Sequence, residues 1–188
     1  MSESPACQCR LHEPFGDEAE WDDNDRNLMS DVQGRGWSVC IITEKSHPVW
    51  AFSVGLWHTF RMPEVAMFGL GAQDMGRWIN LIGEKIRLGH RFELDKPEEG
   101  VLNGFPVRLR IADDSWYPEF FGYGLWFYQS WFPIAQVIWP DRQGKFPWEE
   151  GSGELCRTQP PLWVGQDTIR ELGAEPPIGF RAALPPDE

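Results

Sequence analysis

The stretch that decides the fold is residues 37–70, WSVCIITEKSHPVWAFSVGLWHTFRMPEVAMFGL. It contains three short runs rich in aromatic, β-branched and other apolar residues, at 37–43, 49–56 and 65–70. Runs of this length and composition, bounded by polar or proline-containing turns, are typical of β-strands. The polar turn at 44–48 therefore predicts a hairpin between the first two strands, and the third run predicts a further strand.

A long amphipathic helix is predicted directly after these strands. Apolar residues recur there at three- and four-residue spacing, at Met75, Trp78, Ile79, Ile82 and Ile86. Asp74 is the predicted cap and Gly89 lies just past the predicted end. Before the strands, a shorter helix is predicted between the capping residue Asp22 and Gly36. After the long helix, the alternating residues 107–111 and the apolar residues 134–139 predict two more strands.

This order of elements predicts a single α+β domain. We expect a mainly antiparallel sheet of about five or six strands, with one long and one or two short helices packed on one face. A doubly wound α/β fold would need a helix after nearly every strand, and the sequence does not supply them. The predicted organisation is an acidic, partly flexible arm at residues 1–23, a globular domain at 24–165 and a proline-rich tail at 166–188.

Charge and composition exclude several classes of function. The net charge is −12, and residues 1–31, with nine carboxylates and two arginines, contribute −7 of it. No cluster of Lys and Arg suits a phosphate backbone, so we expect no nucleic-acid partner. No run of about 18 apolar residues exists, so we expect no membrane span. Four cysteines and the lack of a recognisable secretory signal favour a reducing, cytoplasmic location. The oligomeric state is left open.

Several ordered blocks of sequence resemble a known family. The blocks are WAFSVGL at 50–56, Pro63-Glu64 with FGL at 68–70, the helix ending at Gly89, and QVIWPDRQGKFPW at 136–148 with a later Gln159-Pro160. Together they resemble the bacterial family of domains of unknown function numbered 4262, over residues 36–164. The resemblance implies a compact bacterial domain and carries over no reaction, substrate or catalytic set. Many relatives open with a close cysteine pair, which Cys7 and Cys9 echo at a spacing one residue shorter.

The residues nearest the start contain a possible metal site. Cys7, Cys9 and His12 lie within six residues, and thiolate and imidazole ligands suit zinc. A closed site needs a fourth ligand, which His47, His58 or His90 could supply. The alternative is a pair of exposed thiols in a mobile arm. Our primary prediction has no cofactor, with zinc as the alternative.

A possible acid–base site is formed by polar residues on the family blocks. His58, Glu64 and Asp141 flank loops that could converge, as a small-molecule hydrolase or transferase would require. No nucleophile elbow, zinc-protease helix or phosphate-binding glycine loop is present. The alternative for Glu64 and Asp141 is capping of turns beside proline.

Aromatic residues are dense in the second half of the chain. Residues 116–148 hold five Trp, five Phe and three Tyr, and we expect most of them in the core. The same residue types also line ligand pockets. The candidates for ligand binding are Trp57, Trp139, Trp148, Glu149, Arg108 and Arg110. The two arginines could clamp an anionic or planar ligand, or could protect an edge strand from aggregation.

The function expected from these observations is that of a non-catalytic domain of the bacterial cytoplasm that binds a small ligand or a protein. The negative charge suits a basic protein partner. The alternatives are an enzyme built on His58, Glu64 and Asp141, and a zinc-binding variant of either. The sequence does not decide whether the protein is an enzyme.

Overall fold

The computed structural model describes residues 7–13, 18–44 and 48–171 of the chain. Its elements, in chain order, are α1 (Asp23–Arg35), β1 (Ser38–Ile42), β2 (Trp50–Val54), α2 (Leu56–Phe60), β3 (Glu64–Phe68), α3 (Ala72–Arg87), β4 (Glu98–Leu102), β5 (Phe105–Ile111), α4 (Tyr117–Phe120), α5 (Gly122–Phe127), β6 (Ile134–Ile138) and α6 (Gln166–Glu171). None of the helices described is long and apolar enough to cross a membrane.

The six strands form one sheet in the order β1-β2-β3-β6-β5-β4. All neighbouring strands are antiparallel except β3 and β6, which run parallel with Glu64 opposite Ile134. The predicted α+β domain with a mainly antiparallel sheet is therefore confirmed. β5 lies inside the sheet, between β6 and β4, so the arginines of β5 are not on an edge strand.

Both faces of the sheet are covered, because the central strands are apolar on both sides. Ala51, Val65 and Met67 point to the face on which α3 packs through residues such as Ile79. The alternate residues of β2 and β3, such as Trp50, Phe52 and Phe68, point to the other face, where α1 and the segment that contains α4 and α5 pack on them. The layer on this face is largely aromatic. The expectation that helices would cover only one face was wrong. Most of the predicted core aromatics are buried as expected.

Two local differences from the sequence patterns have clear causes. Helix α3 begins at Ala72 with Gly71 as its N-cap, and Asp74 pairs with Arg77 inside the first turn instead of capping it. The patterns do not predict β4, α4 or α5. Strand β4 reads EEGVL, which has few residues that favour strands, and its pairing comes from the hairpin with β5. The segment 117–127 is too rich in glycine and aromatics to show a helical period.

The described part of the N-terminal segment, residues 7–13, packs against the domain. Cys9 forms an isolated antiparallel bridge with Tyr128. The backbone of Arg10 donates to the Phe127 carbonyl at 3.0 Å, and the Arg10 guanidinium lies 4.4 Å from the Trp126 ring centre. Cys7 and Cys9 are both buried. This segment therefore brings its two thiols into the aromatic layer of the core.

Candidate metal centre

The segment 7–13 is bent by a tight turn at its second cysteine. The Cys9 carbonyl accepts hydrogen bonds from the backbone of His12 at 2.9 Å and of Glu13 at 3.0 Å. Backbone N–H groups of Leu11 and His12 point at the Cys9 sulfur and stabilise its thiolate. Because of this turn, the side chains of Cys7, Cys9 and His12 come together on one side of the segment.

The fourth member of the cluster, His58, comes from α2. The chain leaves β2 through Gly55, whose φ of 117° is in the left-handed region. A Cβ at Gly55 would lie 2.7 Å from the Gly36 carbonyl oxygen, so no larger residue fits this turn. The sharp turn starts α2 at once, and α2 directs His58 toward the two cysteines.

The four side chains lie close enough together to converge on one tetrahedral zinc ion. The Nδ1 atom of His58 lies 3.2 Å from the Cys9 sulfur and 3.8 Å from the Cys7 sulfur. The Nδ1 atom of His12 lies 3.8 Å from the Cys9 sulfur, and one ligand atom from each residue can be chosen so that all lie within 4.8 Å of one another. Ordinary Zn–S and Zn–N lengths place sulfur and nitrogen about 3.6 Å apart around a tetrahedral ion. The residues present therefore fit zinc in both type and spacing.

The electrostatics of the cluster favour a thiolate. Hydrogen bonding to Cys7, together with His58 and the backbone N–H groups, lowers the pKa of Cys9 to about 4 although burial opposes this. Hydrogen bonding to Cys9 and burial raise the pKa of Cys7, while the nearby Arg61 guanidinium acts to lower it. Since zinc binds the thiolate form, the cluster already holds part of the negative charge that a metal ion would neutralise.

A buried hydrogen-bond network holds the turn that carries His58. The Tyr128 hydroxyl accepts from the backbone N–H groups of Gly55 and His58, both at 3.2 Å, and donates to the Glu64 carboxylate. The same tyrosine forms the backbone bridge with Cys9. Tyr128 therefore contacts both segments that supply the cluster, the N-terminal segment through Cys9 and α2 through His58. The sequence alone gives no sign of this role, because nothing local distinguishes the Tyr128 hydroxyl from those of the other tyrosines.

Glu64 is fully buried, and its carboxylate is occupied by hydrogen bonds. It accepts from Gly55 N at 2.8 Å, from Trp57 N at 3.0 Å and from the hydroxyls of Ser53 and Tyr128. Burial raises the pKa of Glu64, and these four donors act against that rise. The structure thus brings two of the three predicted catalytic residues, His58 and Glu64, to the same turn. Glu64 there positions the backbone of the turn.

The third predicted catalytic residue, Asp141, lies at the other end of the sheet. It follows the C-terminal end of β6, whereas Glu64 pairs with the first residue of that strand. Its carboxylate accepts from the backbone N–H groups of Gln143, Lys145 and Gly153. Burial acts to raise the pKa of Asp141, but these three donors hold it below its ordinary value of 3.8. Asp141 is therefore placed as the organiser of its own loop.

Four of the six predicted ligand-binding residues meet in a different cluster. The guanidinium of Arg110 lies 4.2 Å from the Trp148 ring centre, and that of Arg108 lies 5.8 Å from it. Phe146 stacks on Trp148, and Glu149 accepts from the backbone of Phe146. Both guanidinium groups therefore stack on aromatic rings of this chain, where a planar ligand would otherwise stack.

The other two ligand-binding candidates lie apart from this cluster. Trp57 is on α2 beside the metal centre, where it meets Trp131 edge to face. Trp139 is buried on the α3 face of the sheet.

Of the remaining candidate histidines, the structure describes only His90, which does not join the metal cluster. His90 is paired with Glu98, its Nε2 atom lying 3.0 Å from the carboxylate, and it packs on Phe92. His47 lies outside the described residues. Of the two candidates for a fourth ligand that the structure describes, His58 is the one that the fold brings to Cys7, Cys9 and His12.

Comparison with known proteins identifies the family but no characterised relative. Searches of curated proteins and of solved structures return no match to this chain. A family model matches residues 31–153, more than half of the chain, and this range includes His58, Glu64 and Tyr128. The chain therefore belongs to the family described as Domain of unknown function (DUF4262).

Proposed function

We propose that this protein is a zinc-binding, non-catalytic domain. In this proposal one ion, held by Cys7, Cys9, His12 and His58, fastens the N-terminal segment to the core. The observation that carries the proposal is the convergence of four ligand atoms within 4.8 Å, from segments about fifty residues apart in the sequence. Two of these side chains, Cys7 and Cys9, are buried.

The choice of zinc follows from the ligand set. Two sulfur and two nitrogen ligands suit Zn²⁺, whereas Ca²⁺ and Mg²⁺ require oxygen ligands. Four protein ligands complete a tetrahedral zinc site and leave no position for a substrate or a reactive water. Such a site stabilises structure, since the free energy of metal binding is gained only when the ligands are brought together by folding.

The cysteines also bear on where the protein is located in the cell. All four cysteines are free thiols, and a thiolate zinc site fits the reducing cytoplasm, which we include in the proposal.

An enzyme built on His58, Glu64 and Asp141 has less support. His58 serves as a ligand, Glu64 is saturated with hydrogen bonds, and Asp141 lies at the other end of β6.

Zinc content per chain tests the proposal most directly. The protein is purified in zinc-containing medium, dialysed, and analysed for bound metal as wild type and as the variants Cys9→Ala and His58→Ala. The matched controls are Cys40→Ala and His90→Ala, which change the same residue types outside the cluster. We expect one zinc per chain in the wild type and in both controls, and loss of zinc in Cys9→Ala and His58→Ala.

Cobalt substitution of the wild type tests the ligand set without any variant. A tetrahedral Co²⁺ site with two thiolates gives intense visible bands and a sulfur-to-cobalt charge-transfer band in the near ultraviolet. A wild type that binds no metal, or cobalt spectra typical of octahedral oxygen ligands, would overturn the proposal. Equal zinc in the cluster variants and in the controls would overturn it as well.

A further inference from the structure

A half-open cavity lies beyond the C-terminal ends of β3 and β6, on the side of the sheet away from the metal centre. Its volume is about 610 Å³, within the range of about 300–1,000 Å³ that is usual for small-molecule sites. Its walls come from α3, the tip of the β4–β5 hairpin and the loop that follows β6, and one side is open to solvent. None of the residues lining it belongs to the metal cluster.

The walls of the cavity are apolar and partly aromatic. They are formed by Leu70, Trp78, Leu102, Phe105, Trp139 and Leu155. The ring of Trp139 is fixed, because its indole N–H donates to the Phe68 carbonyl at 2.9 Å. At the mouth, Leu155 is 63% exposed, so an apolar side chain faces water where an occupant would cover it. Flat aromatic walls of this kind favour a planar ligand.

The position of the cavity in the fold is also typical of binding sites. β3 and β6 are the parallel pair of the sheet, and Leu70 and Trp139 follow their carboxyl ends. In open α/β sheets, ligands bind in the crevice outside the carboxyl ends of the parallel strands, and the cavity lies at the corresponding end of the single parallel pair of this mainly antiparallel sheet.

The lining of the cavity holds one cation, Arg142, and two carboxylates, Asp141 and Glu154, and it is Arg142 that offers a contact to an anionic group on the ligand. The carboxylate of Asp141 is turned to three backbone N–H groups of its own loop. Arg142, the next residue, is exposed and forms no hydrogen bond or ion pair within the described part of the chain. A guanidinium is suited to bidentate binding of a carboxylate.

We propose that this cavity binds a planar, largely apolar molecule that carries a carboxylate, with its rings between Trp78, Phe105 and Trp139 and its carboxylate on Arg142. The site goes beyond the proposed zinc function and does not depend on it. It is also separate from the Arg108–Arg110–Trp148 cluster, where the guanidinium groups of the two arginines already lie over the Trp148 ring.

Calorimetric titration with three matched naphthalenes tests this proposal on the full chain. Naphthalene-2-carboxylate represents the proposed class, naphthalene-2-carboxamide removes the charge, and 2-naphthylmethylammonium reverses it. We expect the carboxylate to bind most tightly. Arg142→Glu should weaken the carboxylate about tenfold, as expected for the loss of a charged hydrogen bond, and leave the amide unchanged. Arg91→Glu, at an exposed arginine that does not line the cavity, is the charge-matched control.

A second pair of variants tests the location of the site. Leu155→Trp should fill the mouth and abolish binding of the carboxylate and the amide, while Leu88→Trp, at a 74% exposed leucine outside the cavity, should not. Both leucines are exposed, so both variants should fold. The proposal is overturned if the carboxylate does not bind at millimolar concentration. It is equally overturned if Arg142→Glu matches Arg91→Glu, or if Leu155→Trp matches Leu88→Trp.

Discussion

Replacement of Tyr128 by phenylalanine should weaken both the fold and the metal centre. The variant keeps the ring, which is 3% exposed and packed against Phe127 and Phe132, and removes only the hydroxyl. That hydroxyl donates to the buried Glu64 carboxylate and accepts from the backbone of Gly55 and His58. Gly55 N retains Glu64 as an acceptor at 2.8 Å, whereas His58 N loses the acceptor that Tyr128 provides.

The size of the effect follows from these contacts. Loss of a hydrogen bond to a charged group costs roughly 1.5–3 kcal/mol, and a buried N–H left unsatisfied costs roughly 1–3 kcal/mol. Tyr128→Phe should therefore lower the free energy of unfolding by about 3–5 kcal/mol. Because the released backbone belongs to His58, a proposed zinc ligand, zinc affinity should also fall by about 10- to 100-fold, as is usual for residues that orient ligands.

Tyr117→Phe is the matched control for this experiment. Its hydroxyl is also buried, donates to the Phe132 carbonyl at 2.8 Å and accepts from the backbone N–H of Ile134, and neither partner belongs to the metal cluster. We expect it to cost about 1 kcal/mol and to leave zinc affinity unchanged. Urea unfolding at saturating zinc measures stability, and competition with a chromophoric chelator measures affinity. If Tyr128→Phe behaves like Tyr117→Phe, or loses stability without losing zinc affinity, the coupling inferred from the hydrogen bonds is refuted.

Three further perturbations have defined outcomes. Removal of zinc by a chelator should lower the melting temperature and open residues 7–13 to proteolysis, with recovery on adding zinc; an unchanged digest would contradict the anchoring role. The pKa of Asp141 is lowered in the fold, so its stabilisation is present above pH 3.8 and is lost as pH falls further. Asp141→Asn should thus lower the melting temperature near neutral pH. Calorimetry at falling pH should show a smaller difference in melting temperature between the variant and the wild type. Gly83→Ala should destabilise by about 1–3 kcal/mol, since its Cβ would lie 2.5 Å from the Trp37 ring. In helix α1, a Cβ at Gly34 would meet no atom within 4 Å, so Gly34→Ala should stabilise the protein by about 0.5–1 kcal/mol. Denaturant unfolding in which Gly83→Ala is more stable than Gly34→Ala would contradict the packing around Gly83.

The elements that local pattern could predict were those with a strong period or composition. The apolar spacing from Met75 to Ile86 predicted α3, and the β-branched and aromatic runs predicted β1, β2 and β3. The short helices α4 and α5 have no such period, and burial of their aromatic side chains against β2 and β3 accounts for their position. Tertiary packing supplies the stability that their local sequence lacks.

The metal cluster was partly visible in the sequence. Cys7, Cys9 and His12 are close along the chain, so their residue types alone suggested a site. The choice of His58 over His90 required the turn at Gly55 and the network of Tyr128 and Glu64, which join residues 64 positions apart. Glu64 and Asp141 were grouped as catalytic partners because both are acidic residues on family blocks. In the fold, Glu64 lies beside the first residue of β6, whereas Asp141 follows the last residue of that strand.

The sequence by itself determined the α+β class, the family and three of the four metal-ligand candidates. Each of these depends on residue types and spacings that act over a few positions, such as the helical period, strand composition and a close cysteine–histidine group. Only the tertiary structure decided which histidine completes the metal cluster, that Asp141 is remote from it, and that Arg142 faces an apolar cavity. Those relations depend on the parallel pairing of β3 with β6 and on buried hydrogen bonds between distant segments, which no local pattern encodes.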